Sequence, residues 1–237
     1  MDSSPERQQW IEQVNLAVAG DRGEGVRLGA TSLNQRVLDA IREPQGVNAE
    51  LLLVTLGALA GFTVQQTLRH LAPGGPLRPG GPEERAAFVV LETADGRRYY
   101  HGDPLNRLLF ELPESVLGRL WGLAAAAGLG LDRPPDLDEL AGHVASTLGL
   151  ASFGMIRLRT FDEPPLASVE TLVRHFWPEW SPDLAVFCPS PEDWLALAAA
   201  SLVDGLAMAR DAVPAADGLR IAMEAALAAS KLDPAAL

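Results

Sequence analysis

Cysteine and lysine each occur once in this chain of 237 residues, as Cys188 and Lys231. A lone thiol forms no internal disulfide and builds no thiolate zinc site by itself. A lone lysine nearly excludes Schiff-base or phosphate-anchoring lysine chemistry. Basic charge is scarce altogether: 19 Lys and Arg against 31 Asp and Glu leave a net charge of −12, with no basic run. A surface of that sign repels phosphate backbones and anionic lipid, so no nucleic acid and no membrane surface is expected as a partner. The opening MDSSPERQQW has no basic segment followed by an apolar one, so no secretory signal is read and the expected compartment is the cytoplasm.

Long apolar runs are missing as well. The nearest is LLLVTLGALAGFTV, residues 51–64. It falls short of the roughly 18–20 residues that cross a bilayer, and Thr55, Thr63, Gln65, Gln66 and Thr67 dilute it further. Within it, Gly57-x-x-x-Gly61 has the small-residue spacing that lets two helices approach closely. In a soluble chain that spacing predicts a central core helix.

Catalytic and cofactor motifs are absent too. His70, His143 and His175 fall on three separate helical segments without the i, i+4 spacing of a helical zinc site, and there is no H-E-x-x-H or C-x-x-C. No metal and no cofactor is therefore expected. AGDRGEGVRLG is glycine-rich but lacks the dinucleotide fingerprint and the P-loop lysine, and Asp21 and Glu24 would oppose a phosphate. It reads as a flexible loop. GHVASTLG lacks the glycine on each side of serine that a nucleophile elbow needs.

What is present is mostly helix. A 48% hydrophobic and 21% charged composition suits a folded soluble domain. Helices are predicted over 5–19, 31–43 (stopped by Pro44) and 48–71. Three more carry apolar residues at i, i+3, i+4 and i+7: Leu117 to Ala124, Leu137 to Val144 behind Asp136, and Val169 to Phe176, with Ser168 as cap and Pro178 as stop. Ser190-Pro191-Glu192-Asp193 opens a helix to about 212, and an alanine-rich helix covers 218–231; these two are expected to pair as an antiparallel hairpin. FGMIRLRT and LAVF read as short strands. PGGPLRPGGPEE supplies a Pro/Gly-rich loop at 73–82 between an all-helical part (1–72) and a mixed part (83–237) of a single domain, 1–237. The fold class expected is α+β, mainly α-helical, with a small antiparallel sheet built on one β-hairpin at 87–102 and packed against helices.

That hairpin, AFVVLETADGRRYYHGD, is where side-chain chemistry concentrates. Asp95-Gly96 as a two-residue turn sets Glu92 opposite Tyr99, Leu91 opposite Tyr100 and Val90 opposite His101. Glu92, Tyr99 and His101 then share a face, with Asp103 just beyond. A carboxylate beside an imidazole raises its pKa and fixes its tautomer, as a general base requires. The plainer reading, which carries more weight, is a half-solvated outer face. Cys188, ahead of a helix N-terminus, is a candidate reactive thiol set against an inert buried one. Trp177 and Trp180, around Pro178, read as a core edge first and a ligand or subunit contact second.

These observations favour a non-catalytic binding or protein-interaction module that works as a homodimer, with an unidentified protein or small-molecule partner. The alternative is a small-molecule enzyme using Glu92, Tyr99, His101 and Asp103.

Overall fold

The computed structural model describes residues 4–72, Leu77, 87–157 and 167–237. The protein is a mainly helical α+β fold whose centre is a single apolar helix. The Pro/Gly-rich loop predicted at 73–82 lies outside the described residues except for Leu77, whose N–H donates to the Arg69 carbonyl at 3.0 Å.

Helix α1 (Pro5–Gly20) starts at Ser4, whose hydroxyl accepts from the Arg7 N–H, and α2 (Arg22–Ile41) starts at Asp21, whose carboxylate accepts from the Gly23 N–H. The segment expected to be a glycine-rich loop is therefore helical apart from one linking residue. Its glycines serve close approach. A Cβ on Gly25 would lie 2.2 Å from the Phe187 carbonyl oxygen, and one on Gly29 would lie 2.4 Å from Leu197 Cδ1.

A minimal ribbon, β1 (Arg42–Glu43) with β2 (Gly46–Val47), leads into α3 (Ala49–His70), capped by the Asn48 side chain on the Leu51 N–H. Leu52 to Gln65 are buried without interruption, so α3 is the predicted core helix. It is long and apolar enough to pass for a membrane span, yet 83% of that window is buried inside the protein. The hairpin follows as β3 (Val89–Glu92) and β4 (Arg98–His101). A short α4 (Asp103–Asn106) runs into a π-helical turn, then come α5 (Val116–Ala126) and α6 (Leu137–Thr147).

Helix α7 (Val169–Phe187) corrects two expectations: Pro178 does not stop it, and LAVF is its last turn rather than a strand. Each internal proline forfeits a backbone hydrogen bond, worth about 3 kcal/mol or more with its steric cost. Pro178 and Pro182 sit one turn apart on the exposed face, while Trp180, Asp183, Leu184 and Phe187 are buried. Tertiary burial outweighs the local breakers. FGMIRLRT is likewise not a strand where described: Phe153 and Gly154 lie in a turn and Met155–Arg157 is irregular, with 158–160 outside the described residues.

Helices α8 (Trp194–Ala209) and α9 (Ala215–Ala229) complete the fold. Both pack more extensively on α3 than on each other, so the expected pairing of the two gives way to a three-helix arrangement. The predicted glycine seam lies between α3 and α9. A Cβ on Gly57 would fall 2.3 Å from the Ala222 carbonyl oxygen, and one on Gly61 1.8 Å from that of Ala226.

Candidate functional site

The hairpin forms where the sequence places it, but one residue out of the expected register. Val89 pairs with His101, Val90 with Tyr100, Leu91 with Tyr99 and Glu92 with Arg98. The reason is the turn. The Thr93 N–H donates to the Arg97 carbonyl at 2.9 Å, leaving Ala94, Asp95 and Gly96 as a three-residue loop with Gly96 at φ +81°. Asp-Gly thus fills the last two positions of a three-residue connection rather than a two-residue turn. A one-residue slip exchanges faces. Glu92 now shares the face of Arg98 and Tyr100, not that of Tyr99 and His101, and both Glu92 and Asp103 are exposed. The four residues read as an acid/base face are not brought together. Tyr99 and Tyr100 are both buried, Tyr99 edge-on to Phe153 and Tyr100 edge-on to Phe88, with the Arg69 guanidinium 4.7 Å from the Tyr100 ring centre. Of the four, Tyr99 alone lines the pocket of about 200 Å3 between the hairpin and the C-terminal residues, beside Arg98, Glu170 and Asp233.

On the inner side of β4 lies a residue that no sequence motif marks. Lys231 is 5% exposed. Its backbone is clamped: its N–H donates to Ala228 O at 3.1 Å, and its carbonyl accepts from the Tyr100 N–H at 2.9 Å. The carbonyls on either side of it, Ser230 and Leu232, both accept from Gln65 Nε2, at 2.9 and 2.8 Å. Gln65 is itself fully buried on α3, and its Oε1 has no hydrogen-bond partner among the described residues. Burial pulls the pKa of the Lys231 ammonium down to about 8. His101 is close enough to feel that charge. Desolvation first, then Lys231, push the imidazole down to about 4, and His101 Nε2 is buried without a partner among the described residues. Sequence hints exist: a pair of glutamines in a mostly apolar helix, and a lysine held to a single copy.

Cys188 is 1% exposed and follows the C-terminal end of α7. Burial, then Asp193, push its thiol up to about 12, the opposite of a reactive thiolate. Its carbonyl accepts from Trp194 Nε1 at 2.8 Å. Trp180 is 1% exposed and stacks on Phe187, so it has no surface to offer a partner; Trp177 keeps part of its surface and sits edge-on to Phe62 at 4.9 Å.

Two buried carboxylates are spent on structure. Asp183 accepts from Arg7 and Arg36, tying α7 to α1 and α2. Glu224, fully buried on α9, accepts from Arg157 Nη2 at 2.8 Å and Arg220 Nη1 at 2.9 Å, with His143 Nε2 at 3.5 Å. Charge pairs that satisfied hold the chain together without leaving a group free to react. Among the described residues no three His, Cys, Asp or Glu side chains are grouped to hold a metal ion.

The surface is interrupted by a groove of about 520 Å3 between α2, α5 and α8. Its floor is small and apolar (Val26, Ala30, Gly122, Ala196 and Ala200), and Leu123 stands at its edge, 43% exposed. Arg119 and Asp204 are among its lining residues. Among the described residues Arg119 donates to the Glu114 carbonyl and to no carboxylate, and Asp204 has no cation beside it, its carboxyl pushed up by partial desolvation. Comparison of the chain with known family models, with curated proteins and with solved structures finds no match in any of the three.

Proposed function

We propose that the protein is a non-catalytic interaction module that acts as a homodimer, docking through the groove between α2, α5 and α8. The observation that carries this reading is the groove's own composition. An isologous contact needs a surface that is its own complement. Here an apolar floor is bordered by one arginine and one aspartate, neither with an opposite charge beside it among the described residues. A two-fold axis over the floor pairs Arg119 of each copy with Asp204 of the other. Polar groups at the rim with apolar area at the centre is the common pattern of such interfaces.

Gly122 supplies the test. A Cβ there meets nothing within 4 Å, so a side chain at this exposed position starts from open space in the groove. Native mass spectrometry and light scattering should find a dimer for the wild type and a monomer for Gly122→Leu that keeps the helical circular dichroism of the wild type. Arg119→Asp and Asp204→Arg alone should each weaken the dimer about tenfold or more, and together restore it. A wild-type monomer at all concentrations, or a dimer indifferent to all three positions, overturns the proposal.

A further inference from the structure

We propose that α2 and α7 form a helix-docking face, filled within the chain by α1 and open to the α1 of a second copy when the two exchange. This does not rest on the groove dimer, since none of the side chains that anchor α1 lines that groove.

Three observations carry it. The first is how little holds α1. Of its 16 residues Val14 alone is buried, with Arg7, Trp10, Ile11 and Val18 half-buried. These five stand at i, i+3, i+4, i+7 and i+11, a single stripe of the kind that a separate helix lays into a groove. By contrast α2 buries six residues. The Arg7 guanidinium carbon lies 4.2 Å from the Trp10 ring centre, so these two anchors travel together on α1.

The second is that the face stays satisfied without α1. Asp183 accepts from Arg7 on α1 and also from Arg36 on α2, so release of α1 leaves its carboxylate paired. A buried charge stripped of every partner would forbid that release. Phe187 receives Trp10 edge-on at 5.3 Å and also stacks on Trp180 at 6.0 Å, so it too keeps a neighbour. The seat for Val18 is a glycine: a Cβ on Gly25 would come within 3.0 Å of Val18 Cγ2.

The third is the hinge. Asp21 alone separates α1 from α2, in extended conformation at φ −157°. A Cβ on the preceding Gly20 meets nothing within 4 Å, so the chain has room to turn there. Asp21 caps α2 through its own carboxylate on the Gly23 N–H, a bond in which α1 has no part. Short hinges of this kind let identical elements exchange between copies. A second copy is the fitting occupant because it carries the same stripe, and the contacts α1 makes in its own chain are all available in trans. Within one chain the tether holds α1 at an effective concentration of about millimolar, so exchange is suppressed until the chain's own helix is loosened.

The probe is a fluorescent peptide of residues 4–20, titrated into the full-length chain and read by anisotropy. Wild type should bind it weakly, because α1 competes from within. Trp10→Ala and Arg7→Glu each loosen that competitor and should bind the wild-type peptide about tenfold tighter or more, but not a peptide carrying Trp10→Ala. Circular dichroism checks that each chain keeps its fold, and either variant serves alone. Unlabelled full-length wild type in excess should then displace the peptide from Trp10→Ala, with its own α1 docking in trans. Gly122→Leu, whose groove is blocked, should displace it equally well. The proposal is overturned if the loosened chains bind the peptide no tighter than wild type, or if the Trp10→Ala peptide binds as well. Failure of the full-length chain to displace the peptide, or displacement that Gly122→Leu abolishes, overturns it too.

Discussion

At the scale of single residues, the buried amine is the feature with the clearest energetic signature. Its pKa is 10.5 in the unfolded chain and about 8 in the folded one. Below pH 8 both states hold the proton and the desolvation penalty is full, about 3 kcal/mol. Between 8 and 10.5 the unfolded chain binds more protons than the folded one, so stability rises with pH and then levels off. Urea titrations of wild type against Lys231→Met should show the variant more stable at pH 7 and the two converging above about 10. His101 follows the same sign at lower pH. Its folded value of about 4 lies below 6.5, so stability is lost as pH falls through that interval, and His101→Gln should flatten this part of the profile. Cutting a buried carboxylate works in the other direction. Glu224→Ala leaves Arg157 and Arg220 without their shared partner and should cost about 3 kcal/mol by thermal denaturation.

At the scale of elements, two glycines with the same helix propensity should respond in opposite ways. Gly142→Ala on α6 meets open space and should stabilise the protein by up to about 1 kcal/mol. Gly61→Ala on α3 meets the Ala226 carbonyl and should destabilise it by about 3 kcal/mol despite the better helix former. Unfolding midpoints of the two variants side by side check this. The same contrast decides how much of the fold is legible in sequence. The α3 core helix is legible because Gly57 and Gly61 interrupt an otherwise apolar run at helical spacing. Gly25 and Gly29 read wrongly as a loop, because four glycines among charges look identical whether they give freedom or clearance; only the presence of Phe187 and Leu197 opposite them decides. Pro178 and Pro182 mislead for the same reason, since their cost is local and the burial that offsets it is on other helices. In the hairpin the strands and the turn are legible, but Asp-Gly fits both a two- and a three-residue loop. The register depends on which residues of β4 are buried.

At the scale of the whole molecule, α3 in the N-terminal part is covered by α7, α8 and α9 from the C-terminal part. Neither part can bury α3 alone, so chemical denaturation should give one transition by both circular dichroism and tryptophan fluorescence. The mainly helical class comes from apolar periodicity over segments of several turns, which is the strongest signal a sequence carries. The site has no such signal. Lys231 and Tyr100 are separated by more than half the chain, and only the packing of β4 against the end of α9 joins the Lys231 carbonyl to the Tyr100 N–H.

The seam between α3 and α9 also governs how the chain can change in length. Gly57 and Gly61 meet Ala222 and Ala226, two teeth one turn apart on each helix. One residue inserted or deleted in α9 ahead of Ala222 rotates the remainder of the helix by about 100° and brings a larger neighbour, Ile221 or Met223, onto the glycines. Lineages descended from this chain should therefore carry their insertions and deletions at the 210–214 turn, while α9 itself keeps its residue count.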